Sequence, residues 1–213
     1  MSHEHKLHTI VVLYPPLFNS SSKFHRKLDH ILSRLNHYQL ISADDSQGLI
    51  AAYAKQHDQD SPIVTTQWQQ YAITHAIIFD DGEEFWNEQQ WLKKQQVPLR
   101  EIRIAVTRVI NLRTEPHHGA QGNSDTYEYI GRHAKGWGNP NSSYDEDPEN
   151  DGIIGRDEAI NRYQYDFEHD LLPHRKKSDV HSLAGKRLGC FCKPRRCHGD
   201  ILADYLNRWD DGH

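Results

Sequence analysis

The stretch GCFCKPRRCHGD, residues 189–200, holds all three cysteines of the chain, a histidine, an aspartate and the cations Lys193, Arg195 and Arg196. Thiolate and imidazole are the side chains from which zinc sites and nucleophile–base pairs are built. Cys190 and Cys192 alternate with Phe191 on an expected strand, so both thiols point to one face. Pro194 turns the chain, and Cys197 and His198 stand where a helix is expected to begin. A helix start carries roughly half a positive charge, attracts anions and lowers a cysteine pKa.

Three readings follow from this arrangement. Cys190, Cys192, Cys197 and His198 make a soft ligand set suited to zinc, although C-x-C followed by an adjacent Cys-His departs from the usual paired C-x2–4-C arms. In the second reading Cys197 is a nucleophile or substrate contact and His198 a general acid or base. Asp200 then orients His198 or steadies the helix start. In the third, the cysteines are small core residues packing a strand against its helix, a reading that suits Cys190 best.

Other candidates lie upstream. Arg113 at a strand end and Arg132 after Gly131 can each fork onto a phosphate or carboxylate. In GWGNP, the glycines, Gly138 among them, allow close backbone approach. Asn139 offers hydrogen bonds to a base or ribose, and Trp137 a stacking face. With Asn111, Lys193 and Arg195 these residues form an expected binding set for an anionic, nucleotide-like molecule. Each also has an ordinary reading, since Gly-Asn-Pro is a common turn and Arg132 can pair with nearby acids.

The elements that must position these groups read as α/β. HTIVVLYPP is β-branched and stops at Pro15-Pro16. SSKFHRKLDHILSRLNHY places Phe24, Leu28, Ile31, Leu32 and Leu35 on one helical face. YQLISAD, SPIVTTQ, THAIIFDDG and VPLREIRIAV read as strands, with SQGLIAAYAKQHD and EEFWNEQQWLKKQQ as helices between them. Such alternation predicts a Rossmann-like parallel sheet with flanking helices over residues 1–103.

A smaller α/β domain is expected over 104–213, and the boundary is soft because AVTRVINLRT continues from the first domain. TYEYIGRHAKGWGNP is a strand and turn, and residues 141–155 an acidic loop expected to be mobile. RDEAINRYQYDFEHDLL is a helix with Ala159, Ile160, Tyr163 and Phe167 inward. LAGKRLGCFC is the last strand and CHGDILADYLNRW the last helix. Trp68 and Tyr71 read as core.

Composition bounds the function. The 213 residues are 36% hydrophobic and 10% aromatic, enough for real cores, and the net charge of −5 argues against a polycation built to coat nucleic acid. The 16 histidines are scattered along the sequence and form no metal tract. No run approaches the ~18 apolar residues of a membrane span, and the N-terminus reads as a strand rather than an export signal. Three clustered cysteines without such a signal argue against a disulfide framework, so a reducing, cytoplasmic setting is expected.

VINLR, YIGR, GWGNP and LAGKRLGCFCKPRRCHGDILADYL, in this order, resemble the family of bacteria and phages known as domain of unknown function 4326, over about residues 105–207. Its pattern is a strand with Asn and Arg, here Asn111 and Arg113, a YIGR…GNP turn, and a closing element. Cys190, Cys192, Pro194, Cys197, His198, Gly199 and Asp200 fall on that closing element. The resemblance implies relatedness rather than a reaction.

Residues 8–104 resemble the SLOG superfamily, Rossmann-like proteins that bind nucleotides or DNA, through TIVVLYPP, LISADDSQGLIAAYAKQHD, TQWQQYA and AIIFDDGEEFWNEQQWLKKQQVPLREI. Where that group places glycines this chain has Ser42, Ala43, Asp44 and Asp45. Two carboxylates there repel phosphate, by ~1 kcal/mol per pair at 4 Å even in bulk water, so a degenerate scaffold is expected.

Three functions are carried forward. The first is a nucleotide-, nucleoside- or nucleic-acid-processing enzyme, a hydrolase or transferase with glycosidic bonds as the first to test. The second is a non-catalytic nucleotide-binding module, a sensor or sponge, and the third a zinc-stabilised nucleic-acid accessory protein. The oligomeric state is not legible in the sequence.

Overall fold

Ile10, Val11, Val12 and Leu13 run four apolar residues in a row, the signature of a strand covered on both faces. They belong to β1 (His8–Leu13), and all four are buried in the computed structural model, which describes residues 7–119, 123–131, 136–141, 146–147 and 152–213. The chain divides into two compact units, residues 1–105 with 208–213, and residues 106–207.

In the first unit β1 is followed by α1 (Ser21–Leu32), β2 (Tyr38–Ser42), α2 (Leu49–Gln56), β3 (Ile63–Val64), β4 (His75–Asp80), α3 (Trp86–Lys94) and β5 (Leu99–Arg103). The five strands pair in parallel in the order β3-β2-β1-β4-β5. This is the Rossmann-like sheet the alternation predicts, and the strand order reverses between β1 and β4.

Phe24 and Leu28 of α1 are fully buried, and Phe24 stacks on Phe79 at 4.9 Å. The other face packs Val11, Leu13, Ile41, Trp68, Ile78 and Leu92. Trp68 is core as expected, whereas Tyr71 is 41% exposed. Tyr71 closes a single 3-10 turn and accordingly points outward. Near the C-terminus, Asp211 accepts Lys23 Nζ at 2.7 Å and Asp210 accepts Arg26 at 2.6 Å.

The second unit is built on β6 (Arg108–Asn111), β7 (Tyr127–Tyr129), the short antiparallel pair β8 (Glu146–Asp147) and β9 (Gly152–Ile153), α4 (Arg156–Glu168), a 3-10 turn over 177–183, β10 (Arg187–Cys190) and α5 (His198–Arg208). β6 and β7 both pair in parallel with β10, which lies between them. This is the smaller α/β sheet expected of the second half. The expected acidic loop 141–155 lies largely outside the described residues. On α4, Ala159, Ile160, Tyr163 and Phe167 are all buried, the helical face read from their spacing.

Gly199 lets α5 approach the sheet, because a Cβ there would collide with Ile130 and press on Val109. Among the described residues no helix is long and apolar enough to cross a membrane.

A buried amide joins the two ends of this unit. Asn207 Oδ1 accepts the Thr107 N–H at 2.8 Å, and Asn207 Nδ2 donates to the Thr107 carbonyl at 3.0 Å. Both residues are at most 5% exposed. Asn207→Leu strands a buried donor and acceptor at ~1–3 kcal/mol each. We expect a loss of about 2–6 kcal/mol in urea denaturation, and Asn207→Asp, which sets a carboxylate oxygen against the Thr107 carbonyl, should lose stability as well.

Candidate metal centre

β10 delivers Cys190 at its last position, and the following turn brings Cys192 back so that the two Sγ atoms lie 3.2 Å apart. The turn closes through Arg195 N–H to the Cys192 carbonyl at 3.1 Å. Asn111, at the end of β6, anchors it by donating Nδ2 to the Lys193 carbonyl at 2.6 Å. Asp200 braces the far side, accepting the Cys197 N–H at 2.9 Å and pairing with Lys193 Nζ at 2.6 Å. That carboxylate thus fixes the start of α5 through the backbone, as expected for an acid in a first helical turn.

His198 opens α5 and is 5% exposed. Its Nε2 lies 2.8 Å from the Ile130 carbonyl. A carbonyl only accepts, so the proton sits on Nε2. Burial lowers the imidazole pKa, which keeps the ring neutral and leaves Nδ1 as an acceptor. That atom is 3.7 Å from Cys197 Sγ, and the ligand atoms of Cys190, Cys197 and His198 all fall within 4.8 Å of one another. Tyr163 packs its ring edge-on against the imidazole at 4.8 Å. The Gly199 N–H points at Cys197 Sγ at 3.4 Å.

The electrostatics agree with a shared charge. Hydrogen bonds from Cys190 and Cys197 draw the Cys192 thiol far below its usual range, with Arg156 also contributing. Cys190 and Cys192, and then burial, push Cys197 upward. Cys190, Cys197 and His198 can hold a metal, with Cys192 Sγ close to that of Cys190, and sulfur with imidazole nitrogen is chemistry suited to zinc.

Beside the sulfurs is a cavity of about 110 Å³, bordered by Asn139, Asn141, Arg156, Ile160, Cys192 and Arg196. Arg156 is the first residue of α4. Arg196 is exposed, and its guanidinium reaches Asn161 at 3.3 Å and Asp157 at 3.7 Å.

Of the residues singled out from sequence, Cys190, Cys192, Cys197 and His198 come together, and Asn111, Lys193 and Asp200 hold their turn. Asn139 lies on the cavity wall, yet it donates Nδ2 to the Ala159 carbonyl and accepts the Asn141 N–H. Trp137 is 2% exposed and in the core, with the Arg175 guanidinium over its ring at 5.8 Å. It is a packing residue where a stacking face was expected. Gly138, next to it, is half-buried. Gly131 is buried against the Tyr129 ring. Arg113 and Arg195 are exposed and do not border the cavity, and Arg132 lies outside the described residues. The arginines that do border the cavity are Arg156 and Arg196. Both were visible as cations, but the side of the turn each occupies was not.

In the first unit, the start of α2, after the second strand, is already filled. Asp45 Oδ1 accepts the Ile50 N–H at 3.0 Å and Oδ2 the Ala51 N–H at 2.9 Å, while Tyr14 donates its hydroxyl to Oδ1 at 2.6 Å. Burial, then the Asp45 carboxylate, push the Tyr14 phenol upward, so it stays a donor.

Comparison with known proteins returns both resemblances read from the motifs. Residues 7–110 match the family model described as Minimal SLOG domain, and residues 110–208 match Domain of unknown function (DUF4326). The uncharacterized 12.4 kDa protein in nrdA-td intergenic region of Enterobacteria phage T4 is 43% identical over 54 residues, 25% of this chain and 50% of that protein. The aligned part therefore spans about half of that relative's length. No solved structure matches.

Replacing Asp45 by Ala should cost about 1–2 kcal/mol of stability, the usual loss for a helix-start acceptor. Thermal unfolding of Asp45→Ala against Tyr14→Phe checks this, with the smaller loss expected for Tyr14→Phe.

Proposed function

We propose that this is a nucleotide-related binding protein whose second unit is knit together by a zinc ion on Cys190, Cys192, Cys197 and His198. The adjoining cavity then receives an anionic, nucleotide-like ligand on Arg156 and Arg196. The observation that carries the reading is the His198 tautomer. Its Nε2–H is committed to a backbone carbonyl while Nδ1, the acceptor, faces Cys197 Sγ at 3.7 Å, the orientation metal-ligating histidines adopt. Four protein ligands close the coordination sphere, which is the structural type of zinc site.

This geometry favours binding over catalysis by the Cys-His pair. A nucleophilic thiol needs access and a lowered pKa, whereas Cys197 is 1% exposed and pushed upward. The match of the first half to the SLOG family supports the nucleotide class of ligand. The two arginines supply the forked donors that phosphate takes best. No nucleotide site is assigned to the first unit, where Asp45 already occupies the start of α2.

The purified chain should carry one zinc, and Cys190→Ser or His198→Ala should lose it. Chelation should unfold the second unit, since structural zinc is worth roughly 10 kcal/mol or more to small zinc-dependent folds. Metal analysis paired with near-ultraviolet dichroism reads both effects. Zinc-free protein with a folded second unit and three freely titrating thiols would refute the reading.

With the corner intact, Arg156→Ala and Arg196→Ala should each weaken nucleotide binding about tenfold to a hundredfold, from ~1.5–3 kcal/mol per charge-assisted hydrogen bond. Calorimetry against a nucleotide panel measures this, and a ligand recovered chemically altered would restore the enzyme reading.

A further inference from the structure

The histidines look scattered in sequence, yet the loop after β6 gathers two of them with a carboxylate. The ligand atoms of Glu115, His117 and His118 all lie within 4.8 Å of one another. Local hydrogen bonds build the turn that does this. The Glu115 N–H donates to the Asn111 carbonyl at 2.9 Å, the His118 N–H to the Glu115 carbonyl at 3.3 Å, and the Gly119 N–H to the Pro116 carbonyl at 3.2 Å.

Two further contacts hold the turn and its rings in place. The His118 ring stacks on Tyr127 at 4.9 Å with only 20° between the planes. Tyr127 is 3% exposed, and its hydroxyl donates to the Gly119 carbonyl. The His117 ring lies 4.2 Å from that of His118. One imidazole is therefore clamped by a buried aromatic residue, with a second imidazole beside it.

His118 Nε2 and Glu115 Oε2 are 3.9 Å apart, too long for a hydrogen bond. A cation bound at about 2.1 Å brings its ligand atoms to within about 3–3.5 Å of each other, so small side-chain rotations would close the set.

We propose that Glu115, His117 and His118 form a second, exchangeable divalent-cation site, separate from the cysteine corner and independent of the zinc assigned there. Two imidazoles and a carboxylate select borderline ions such as Zn²⁺, Ni²⁺ or Co²⁺ over Mg²⁺ and Ca²⁺, which take oxygen ligands. Three ligands leave coordination positions open to water or to an oxygen of an anionic ligand, the property of a catalytic rather than a closed site. The loop leaves the carboxyl end of β6, and β10 ends beside it at Cys190. Asn111 bonds to both loops, through its carbonyl to Glu115 and its side chain to Lys193. The open site thus sits on the sheet edge where ligands of parallel α/β folds bind.

The test is a calorimetric titration of the full chain with Ni²⁺ after its cysteine corner has been given one equivalent of Zn²⁺. Proton NMR then follows the His117, His118 and Tyr127 rings. One further equivalent should bind, with paramagnetic shifts or broadening centred on those rings. His117→Ala, at an exposed position, and Glu115→Gln should each weaken that equivalent at least about tenfold, and His30→Ala should leave it unchanged. Unaltered affinity in His117→Ala and Glu115→Gln would overturn the proposal, as would broadening centred on other histidines. The ring signals locate the ion whether or not the cysteine corner takes zinc, so failure of one site is not read as failure of the other.

Discussion

The second unit depends on a hydrogen bond that leaves no freedom to one proton. Because the Ile130 carbonyl can only accept, His198 must carry its proton on Nε2. Because the ring is buried, it stays neutral, and the lone pair on Nδ1 is left among sulfurs. A buried acceptor is costly without a partner, and the partner Nδ1 has is the Cys197 thiol at 3.7 Å. The three thiols beside it can release protons to meet a cation. Cys190 and Cys197 belong to the same packed cluster as Ile130, Tyr163, Leu188 and Leu202, so a cation there would tie the end of β10 and the start of α5 directly into the core.

The two units place opposite charges at these positions. In the first, the Asp45 carboxylate takes the amides that open α2, and Tyr14 holds it there. In the second, Arg156 and Arg196 border the cavity beside the sulfurs. Positive charge next to a thiolate-rich corner has two consequences. It lowers the thiol pKa, as Arg156 does for Cys192, and it offers forked donors to an incoming anion.

Much of the architecture was legible because it follows from periodicity. Ala159, Ile160, Tyr163 and Phe167 recur at helical spacing and are all buried, and the apolar run of β1 announces a strand covered on both faces. The cysteine–histidine cluster was legible as a set of ligand types. Which of its three uses applies was not legible, because the burial of Cys197 and the hydrogen bonding of His198 exist only in three dimensions. Asp45 was read as repelling phosphate, and in the fold it also fills the position.

What stayed hidden depended on side-chain direction within turns. Arg195 and Arg196 are neighbours in sequence, but only Arg196 borders the cavity. Trp137 looked like a stacking platform until its ring was found in the core. Glu115, His117 and His118 meet only because a local turn brings them together.

The central claim is most directly tested by zinc-edge X-ray absorption on the purified full chain. The account predicts a first shell of three sulfurs at about 2.3 Å and one nitrogen at about 2.0–2.1 Å. A shell made only of nitrogen and oxygen, or the absence of zinc from folded protein, would contradict it.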